Sequence, residues 1–208
     1  MASLINLDKF INTPLKTENF PYLVIPGFVK AEALANVNKD FPEIDIPGSI
    51  PLPSLEFGPE FKALIDELQG SEVTTAFTEK FDIDLSDHPT MVTARGICRE
   101  KDGQIHTDSR TKVITVLLYL NPGDWDNEGG RLRLLKSGDN LDDMIEEVEP
   151  ENGTMLCFLN TENAWHGHSS FAGPRRVIQL NWVQNQGVVN REQKRHKLSA
   201  FVKKIKPF

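Results

Sequence analysis

The second half of the chain contains a series of short apolar runs, and this pattern constrains the fold more than any other feature. The six runs are MVTARGICRE, KVITVLLYLN, GRLRLL, IEEVEP, TMLCFLN and RRVIQLNWV. Segments rich in Gly, Pro, Asn and Asp separate them at intervals of roughly ten residues. Short strands joined by regular turns are typical of β-sandwiches and barrels, and not of alternating βα units. We therefore predict a mainly β region with a jelly-roll (double-stranded β-helix) core.

The first 89 residues have a different pattern, which predicts helices around a short strand. FPYLVIPGF (residues 20–28) is typical of a strand that ends at Pro-Gly. Apolar residues at helical spacing predict helices over Lys30–Phe41, Pro59–Leu68 and Ser71–Phe81, with Ser71 as the N-cap of the last. Residues 42–54 contain four prolines and a glycine, which predicts a loop.

The length and composition favour one soluble domain. The chain has 208 residues, of which 39% are hydrophobic and 25% charged, so it can bury a sizeable core. No flexible linker divides its two halves. We predict helical support with one or two strands in residues 1–89, the jelly-roll core in 90–184 and a basic C-terminal segment in 185–208.

Composition also argues against several classes of function. The formal net charge is -7, whereas general nucleic-acid binding needs a basic surface. No run approaches the ~20 apolar residues that span a bilayer, so we expect no membrane partner. The N-terminus lacks a basic region followed by an apolar one, and Cys98 and Cys157 both lie within apolar runs. These features predict a cytoplasmic protein with free thiols.

A histidine and an aspartate stand two residues apart in QIHTD, residues 104–108. On an extended segment, His106 and Asp108 project to the same face. A third metal ligand must come from elsewhere in the chain; the remaining histidines are His88, His166, His168 and His196. The first of these precedes a proline in a loop and the last lies in the basic tail, which leaves the two in AWHGH. Two histidines and one carboxylate are the ligand set of non-haem Fe(II) oxygenases.

Two consecutive arginines open the strand RRVIQLNWV, nine and ten residues after His166. Arginine binds a carboxylate through two parallel hydrogen bonds and keeps its charge, so it suits the anchoring of a dicarboxylate. Because side chains alternate along a strand, at most one of Arg175 and Arg176 is expected to point inward.

A tyrosine ends the run KVITVLLYLN. Alternation places Val113, Thr115, Leu117 and Tyr119 on one face of this strand. If that face lines the barrel interior, the Tyr119 hydroxyl reaches the far carboxylate of a ligand held by an arginine. Otherwise Tyr119 is a core residue with a backbone partner.

In their order and spacing, these segments resemble the Fe(II)/2-oxoglutarate-dependent oxygenases, specifically the prolyl-4-hydroxylase-like group. The resemblance covers residues 90–184. It runs through IHTDSRTKVITVLLYLN, W-x-x-x-G-G-R-L-R-L-L from Trp125, P-x-x-G-T-M-L-C-F at Pro150–Phe158, AWHGH and RRVIQLNWV. The helices around YLVIPGF are also similar to this group.

The resemblance implies a set of metal ligands and cofactors. His106 and Asp108 match the H-x-D ligands of iron. His166 matches the distal histidine, which in similar chains follows an aromatic or small residue and precedes glycine; His168 is the alternative. The implied cofactors are Fe(II) and 2-oxoglutarate, with dioxygen as a further substrate and ascorbate as a reductant.

The resemblance also implies how 2-oxoglutarate is held. Arg176 stands six residues before Trp182, which matches the arginine that binds the C5 carboxylate of 2-oxoglutarate in similar chains. Arg175 is the alternative. Tyr119, which precedes Leu-Asn, matches a tyrosine that shares this carboxylate.

The implied activity is hydroxylation of a peptidyl residue, proline included, or of a small molecule. Two alternatives remain. A site of two histidines and one aspartate can hold zinc and activate water for hydrolysis. A catalytically silent jelly roll can instead bind metal or 2-oxoglutarate as a sensor. The sequence leaves the substrate and the oligomeric state open.

Two oppositely charged segments have no predicted role in this chemistry. Residues 139–151 carry seven acidic residues and no basic one, and the C-terminal segment is basic. Both are typical of solvated surface segments. The alternatives are that the two segments attract each other or that the basic tail binds an acidic partner. A further hypothesis places the proline-rich residues 42–54 and the acidic loop 137–151 at the mouth of the site, which favours a cationic or peptide substrate.

Overall fold

The structure, a computed structural model, describes residues 2–192. The helices that support the sheets are α1 (Leu7–Asn12), α2 (Ala31–Lys39), α3 (Pro59–Leu68) and α4 (Ser71–Phe81), with a 3-10 turn at Leu52–Ser54. The strands are β1 (Tyr22–Ile25), β2 (Ile50–Pro51), β3 (Thr90–Cys98), β4 (Lys112–Tyr119), β5 (Leu132–Leu135), β6 (Met144–Val148), β7 (Met155–Leu159), β8 (His166–His168) and β9 (Gly173–Val183).

These strands form two antiparallel sheets. The large sheet has the order β1-β7-β4-β9-β3-β2, and the small sheet has the order β6-β5-β8. Side chains of both sheets share an apolar cluster, to which Tyr119 and Val177 contribute from the large sheet and Leu132 and Leu134 from the small one. The predicted mainly β architecture with N-terminal helices is therefore confirmed.

The helices cover one face of the large sheet. On β9, Ile178, Leu180 and Trp182 point to this side and join the main apolar cluster. The Trp182 side chain is fully buried, and its ring centroid lies 4.7 Å from that of Phe77 in α4. Helix α3 buries Phe61 and further apolar residues at helical spacing against the same cluster. The opposite face of the large sheet is left for the small sheet and the cavity described below.

Most predicted elements are present, and the differences have local causes. Helices α3 and α4 have the predicted bounds, but the N-cap of α4 is Gly70 and not Ser71, which is already helical. The predicted loop 42–54 contains β2, because a proline is tolerated in a short strand at the edge of a sheet. Sequence periodicity missed the six-residue α1 and the three-residue β8, both too short to show a period.

A bulge near the start of β4 changes which side chains face inward. The pairing of β4 with β9 shifts register between Lys112 and Ile114. Thr115 and Leu117 face the cavity as predicted, but Val113 packs against the helix-side cluster, so its predicted place in this row is wrong. The extra residue in the bulge reverses the alternation. As a consequence, Lys112 lines the cavity.

The acidic segment pairs with nearby basic residues instead of standing apart in solvent. Arg133, on β5, contacts Glu147 at 2.6 Å and Asp142 at 2.8 Å, and Lys136 contacts Asp143 at 3.1 Å. The basic tail lies mostly outside the described residues, so its attraction to this segment stays a prediction. In the part of the chain that the structure describes, no helix is long and apolar enough to cross a membrane.

Candidate metal centre and ligand cavity

A cavity of about 300 Å³ lies where the two sheets face each other. The large sheet contributes the inward side chains of β3, β4 and β9, and the small sheet contributes β8 and part of β5. The lining residues used below are Ser49, Met91, Thr93, Arg95, His106, Asp108, Lys112, Thr115, His166, His168, Arg175, Gln179 and Asn181. Most of them are polar, unlike those on the helix-covered face.

The cavity brings together three residues that the sequence nominated as metal ligands. One ligand atom each from His106, Asp108 and His166 lies within 4.8 Å of the other two. The backbones of the two histidines are bridged, with His106 N donating to His166 O at 3.0 Å and His166 N donating to His106 O at 2.9 Å. This bridge joins residues that are remote along the chain and sets their ring centroids 4.3 Å apart.

Hydrogen bonds set the tautomer of both imidazoles. The Nδ1 atom of His106 lies 2.8 Å from the carbonyl oxygen of Gln104, and Nδ1 of His166 lies 3.0 Å from that of Ala164. Because a carbonyl oxygen only accepts, each Nδ1 donates, which leaves Nε2 as the nitrogen with which each ring can bind a metal. Burial and the neighbouring His106 lower the pKa of His166 to about 4, which keeps this ring neutral near pH 7.

Asp108 is ionised and held on both sides. Its Oδ1 accepts from Lys112 Nζ at 2.6 Å, and its Oδ2 accepts from Thr115 Oγ1 at 2.5 Å. Burial by itself would raise the pKa of Asp108, but the Lys112 charge and these hydrogen bonds outweigh it and hold the pKa below its ordinary value. Thr115 in turn accepts from Asn181 Nδ2 at 2.8 Å.

Sequence reasoning missed the two partners of this carboxylate, Lys112 and Thr115, and also Asn181, which bonds to Thr115. Lys112 stands four residues after Asp108, but the bulge that turns it inward has no clear sequence signal. Thr115 and Asn181 are directly opposite each other on β4 and β9, a pairing that only the strand register reveals.

The donor set suits a divalent transition metal. An ionised carboxylate and imidazoles that present Nε2 to a common point are the donors that such a metal binds. Two histidines and one carboxylate leave other coordination positions open for additional ligands. On this chemistry, the residues present fit Fe(II).

The structure reverses the sequence assignment of the two arginines. Arg175 lines the cavity and is 4% exposed. Arg176 lies on the helix-covered face, where its guanidinium stands over the ring of Phe41, 5.1 Å from the centroid. Six residues along a strand is an even number, so Arg176 shares the face of Trp182, and Trp182 packs against the helices. The expectation that Arg176 faces the ligand is therefore corrected in favour of Arg175.

Arg175 is a buried cation at the far end of the cavity. Its Nε donates to the carbonyl oxygen of Gly130 at 2.8 Å, and one terminal nitrogen lies 3.5 Å from the hydroxyl of Tyr119. Burial raises the pKa of this phenol, against the effect of the arginine charge, so the tyrosine stays neutral. The ion pairs of the described residues include none to Arg175. A buried guanidinium is costly without an anion, which favours an anionic ligand at this end.

His168 stands beside Arg175 and apart from the three clustered ligands. Its Nδ1 lies 2.9 Å from the carbonyl oxygen of Ser169, and its Nε2 lies 3.8 Å from the thiol of Cys98. Burial and the positive charge of Arg175 lower its pKa to about 4. Between the two histidines of AWHGH, the geometry therefore favours His166 as the metal ligand.

Comparison with known families agrees with this site. Residues 96–184 match the profile of the 2OG-Fe(II) oxygenase superfamily, and that range contains all three clustered ligands and Arg175. A search of curated proteins by sequence gave no match.

Solved structures of similar fold include several oxygenases. A prolyl-4-hydroxylase from Pseudomonas putida has a TM-score of 0.59 and 16% identity, over 86% of this chain and 99% of that chain. A viral collagen prolyl hydroxylase from Paramecium bursaria Chlorella virus-1, in complex with 2OG, has a TM-score of 0.54 and 16% identity, over 78% and 96%. A Trichoplax adhaerens prolyl hydroxylase in complex with a hypoxia-inducible-factor peptide has a TM-score of 0.50 and 14% identity, over 90% and 91%. These likenesses confirm the predicted jelly-roll fold.

The remaining wall of this cavity comes from the β2–β3 side and is mostly polar. Met91, Thr93 and Arg95 of β3 line it together with Ser49, whose hydroxyl lies 3.4 Å from a terminal nitrogen of Arg95. The proline-rich segment thus borders the cavity, as hypothesised. Residues 137–151 do not appear in the described lining, so the hypothesis that they favour a cationic substrate is not supported.

Proposed function

We propose that this protein is a Fe(II)- and 2-oxoglutarate-dependent dioxygenase that hydroxylates its substrate. The observation that carries the proposal is the single cavity in which His106, Asp108 and His166 converge while Arg175 stands buried at the opposite end. That arrangement provides a metal site and a carboxylate anchor in one space. The match of residues 96–184 to the profile of the 2OG-Fe(II) oxygenase superfamily supports the same activity.

In this proposal each residue has a specific role. His106, Asp108 and His166 hold Fe(II), and Arg175 with the Tyr119 hydroxyl binds the distal carboxylate of 2-oxoglutarate. When bound, Fe(II) and 2-oxoglutarate supply dioxygen activation coupled to decarboxylation of 2-oxoglutarate to succinate and carbon dioxide. The chain orients these ligands within the cavity between the two sheets. Ascorbate serves as the reductant that restores Fe(II).

The substrate in this proposal is a peptidyl residue, proline included, or a small molecule. The prolyl hydroxylases of similar fold, one of them bound to a peptide, support the first class. The limited cavity volume and the polar Thr93 and Arg95 are compatible with the second. The cytoplasm, where the thiols stay reduced, is the proposed compartment.

The two alternatives explain fewer of the observations. A zinc hydrolase needs the metal site but gives the buried Arg175 and its neighbour Tyr119 no anion to bind. A silent sensor is compatible with the same geometry, and it differs from the enzyme only in lacking turnover. An activity measurement therefore separates all three.

The test is release of succinate from 2-oxoglutarate by purified protein with Fe(II), ascorbate and a panel of peptides and metabolites. We expect turnover with Fe(II), none with Zn(II), and loss of at least 1,000-fold, on the order expected for removing an essential metal ligand, in His106→Ala and Asp108→Ala. His88→Ala is the control, because His88 lies outside the cavity lining and contacts the carbonyl of Val183. Equal turnover in wild type and His106→Ala would reject the site. Metal binding without succinate would favour the hydrolase if the Zn(II)-loaded protein hydrolyses a member of the panel, and the sensor if it does not.

A further inference from the structure

Both oxygens of the proposed aspartate ligand already have partners in the chain. Asp108 Oδ1 accepts from Lys112 at 2.6 Å, and Oδ2 accepts from Thr115 at 2.5 Å. A carboxylate that ligates a metal must direct a lone pair of at least one oxygen at the ion. Binding of Fe(II) therefore changes the surroundings of at least one of these two contacts.

The two partners differ in charge and in how firmly they are held. Thr115 is neutral and fully buried, and its oxygen is fixed by Asn181 on the neighbouring strand. Lys112 carries a positive charge on a long flexible side chain that is 16% exposed and lines the cavity. Its ammonium is paired with the Asp108 carboxylate. Lys112 can move into the cavity, whereas Thr115 cannot leave without breaking the chain of bonds to Asn181.

From this difference, and resting on the proposed function, we propose that the Lys112 ammonium pairs with the Asp108 carboxylate in the metal-free protein. It therefore competes with Fe(II) for this carboxylate. Thr115, held by Asn181, is by contrast a positioning residue that orients the same carboxylate in the metal-bound protein. Metal binding then exchanges a monovalent cation for a divalent one at Asp108. The buried carboxylate is paired with a positive charge in both states, which avoids an isolated buried charge.

This assignment predicts that the two contacts influence metal affinity in opposite directions. Removing the ammonium of Lys112 removes both a competitor for Asp108 and a positive charge that repels the incoming ion. Removing the hydroxyl of Thr115 leaves the carboxylate free to rotate away, which weakens binding. A residue that served only to stabilise the fold would not tighten metal binding when it is removed.

The experiment measures the dissociation constant of Mn(II), alone and without 2-oxoglutarate, for chelator-treated full-length protein by calorimetry. For Lys112→Met we expect Mn(II) to bind tighter, by on the order of tenfold, because a repelling charge near the site is lost. For Thr115→Val we expect it to bind about 10- to 100-fold more weakly, the usual cost of losing a partner behind a metal ligand. Lys112→Arg and Thr115→Ser keep the charge and the hydroxyl, and we expect both to stay within about threefold of wild type.

The competing role of Lys112 is overturned if Lys112→Met binds Mn(II) no tighter than wild type. The positioning role of Thr115 is overturned if Thr115→Val matches wild type. Should Lys112→Met fail to fold, Lys112→Gln replaces it, with the same direction of change. If neither wild type nor Lys112→Met binds Mn(II), the metal site fails and the proposed function fails with it, whereas binding by wild type without the opposite shifts rejects this inference alone.

Discussion

The two faces of the large sheet show how one strand serves both stability and chemistry. On β9, Ile178, Leu180 and Trp182 face the helices and belong to the main apolar cluster. Their neighbours in alternate positions, among them Arg175 and Asn181, face the cavity. The first set stabilises the fold by removing apolar surface from water. The cavity-facing set buries polar and charged groups, which need partners. For Arg175, the proposed partner is a carboxylate of bound 2-oxoglutarate.

Trp182→Ala, on the helix-covered face, should have the largest effect on stability. We expect it to lower the free energy of unfolding by about 3–5 kcal/mol, because a fully buried aromatic side chain leaves a cavity behind. Gln179→Ala, on the other face of the same strand, should cost less than about 1 kcal/mol. Denaturant unfolding of both variants checks this. If both variants lost the same free energy of unfolding, the helix-covered face would not be the one that mainly stabilises the fold.

The adjacent arginines give the sharpest functional contrast between the faces. For Arg175→Gln we expect the KM for 2-oxoglutarate to rise about 30- to 100-fold, because a buried, charge-assisted contact to a carboxylate is lost. Arg176→Gln should leave this KM within about twofold, since its guanidinium lies over Phe41 on the far side of the sheet. Succinate release at varied 2-oxoglutarate measures both. A larger effect from Arg176→Gln would restore the assignment that the sequence suggested.

The buried imidazoles of the cavity face should make stability depend on pH. The pKa of His168 falls from 6.5 to about 4 on folding, so the unfolded chain binds more protons between these values and acidification favours unfolding. For His168→Asn we expect the loss of stability between pH 6.5 and 4 to be smaller than in wild type by about 1–2 kcal/mol. Denaturant midpoints across this range measure it. Parallel curves for the two proteins would show that His168 is not held neutral by the fold.

The smallest expected effect concerns the loop that positions Arg175. Gly130 has φ +78°, and a Cβ atom there would stand 3.0 Å from the Trp125 ring and 3.1 Å from that of Phe171. Because its carbonyl oxygen accepts from Arg175 Nε, we expect Gly130→Ala to cost about 1 kcal/mol of stability and to raise the KM for 2-oxoglutarate a few-fold. Gly123→Ala is a matched control at φ +81° with open space around it. If both variants raised the KM for 2-oxoglutarate equally, the rise would not come from the contact between Gly130 and Arg175.

Local patterns were sufficient to predict most of the fold. The apolar runs of β3, β4, β7 and β9 are long enough for their composition and flanking turns to identify them, and α3 and α4 have several apolar residues at helical spacing. The short β8 has no such signal, because its sequence His-Gly-His lacks apolar residues. Its pairing with β5 and the bridge to His106 depend on contacts between distant parts of the chain.

The site was predictable in its ligand types and not in its details. His106 and Asp108 could be placed on one face from their spacing, and His166 followed from the small number of histidines and from the family resemblance. The choice between Arg175 and Arg176 failed because it relied on distance from Trp182 without knowing which face Trp182 occupies. The inward position of Lys112 depends on a bulge, and a bulge of one residue reverses the alternation between the strand residues before it and those after it.

The most direct test of the cavity as a metal and 2-oxoglutarate site is a crystal structure of the protein with Mn(II) and 2-oxoglutarate. The account predicts an anomalous peak in contact with His106, Asp108 and His166, and a carboxylate of the ligand paired with Arg175 beside Tyr119. A metal peak on other residues, or a ligand carboxylate at Arg176 on the helix-covered face, would contradict it.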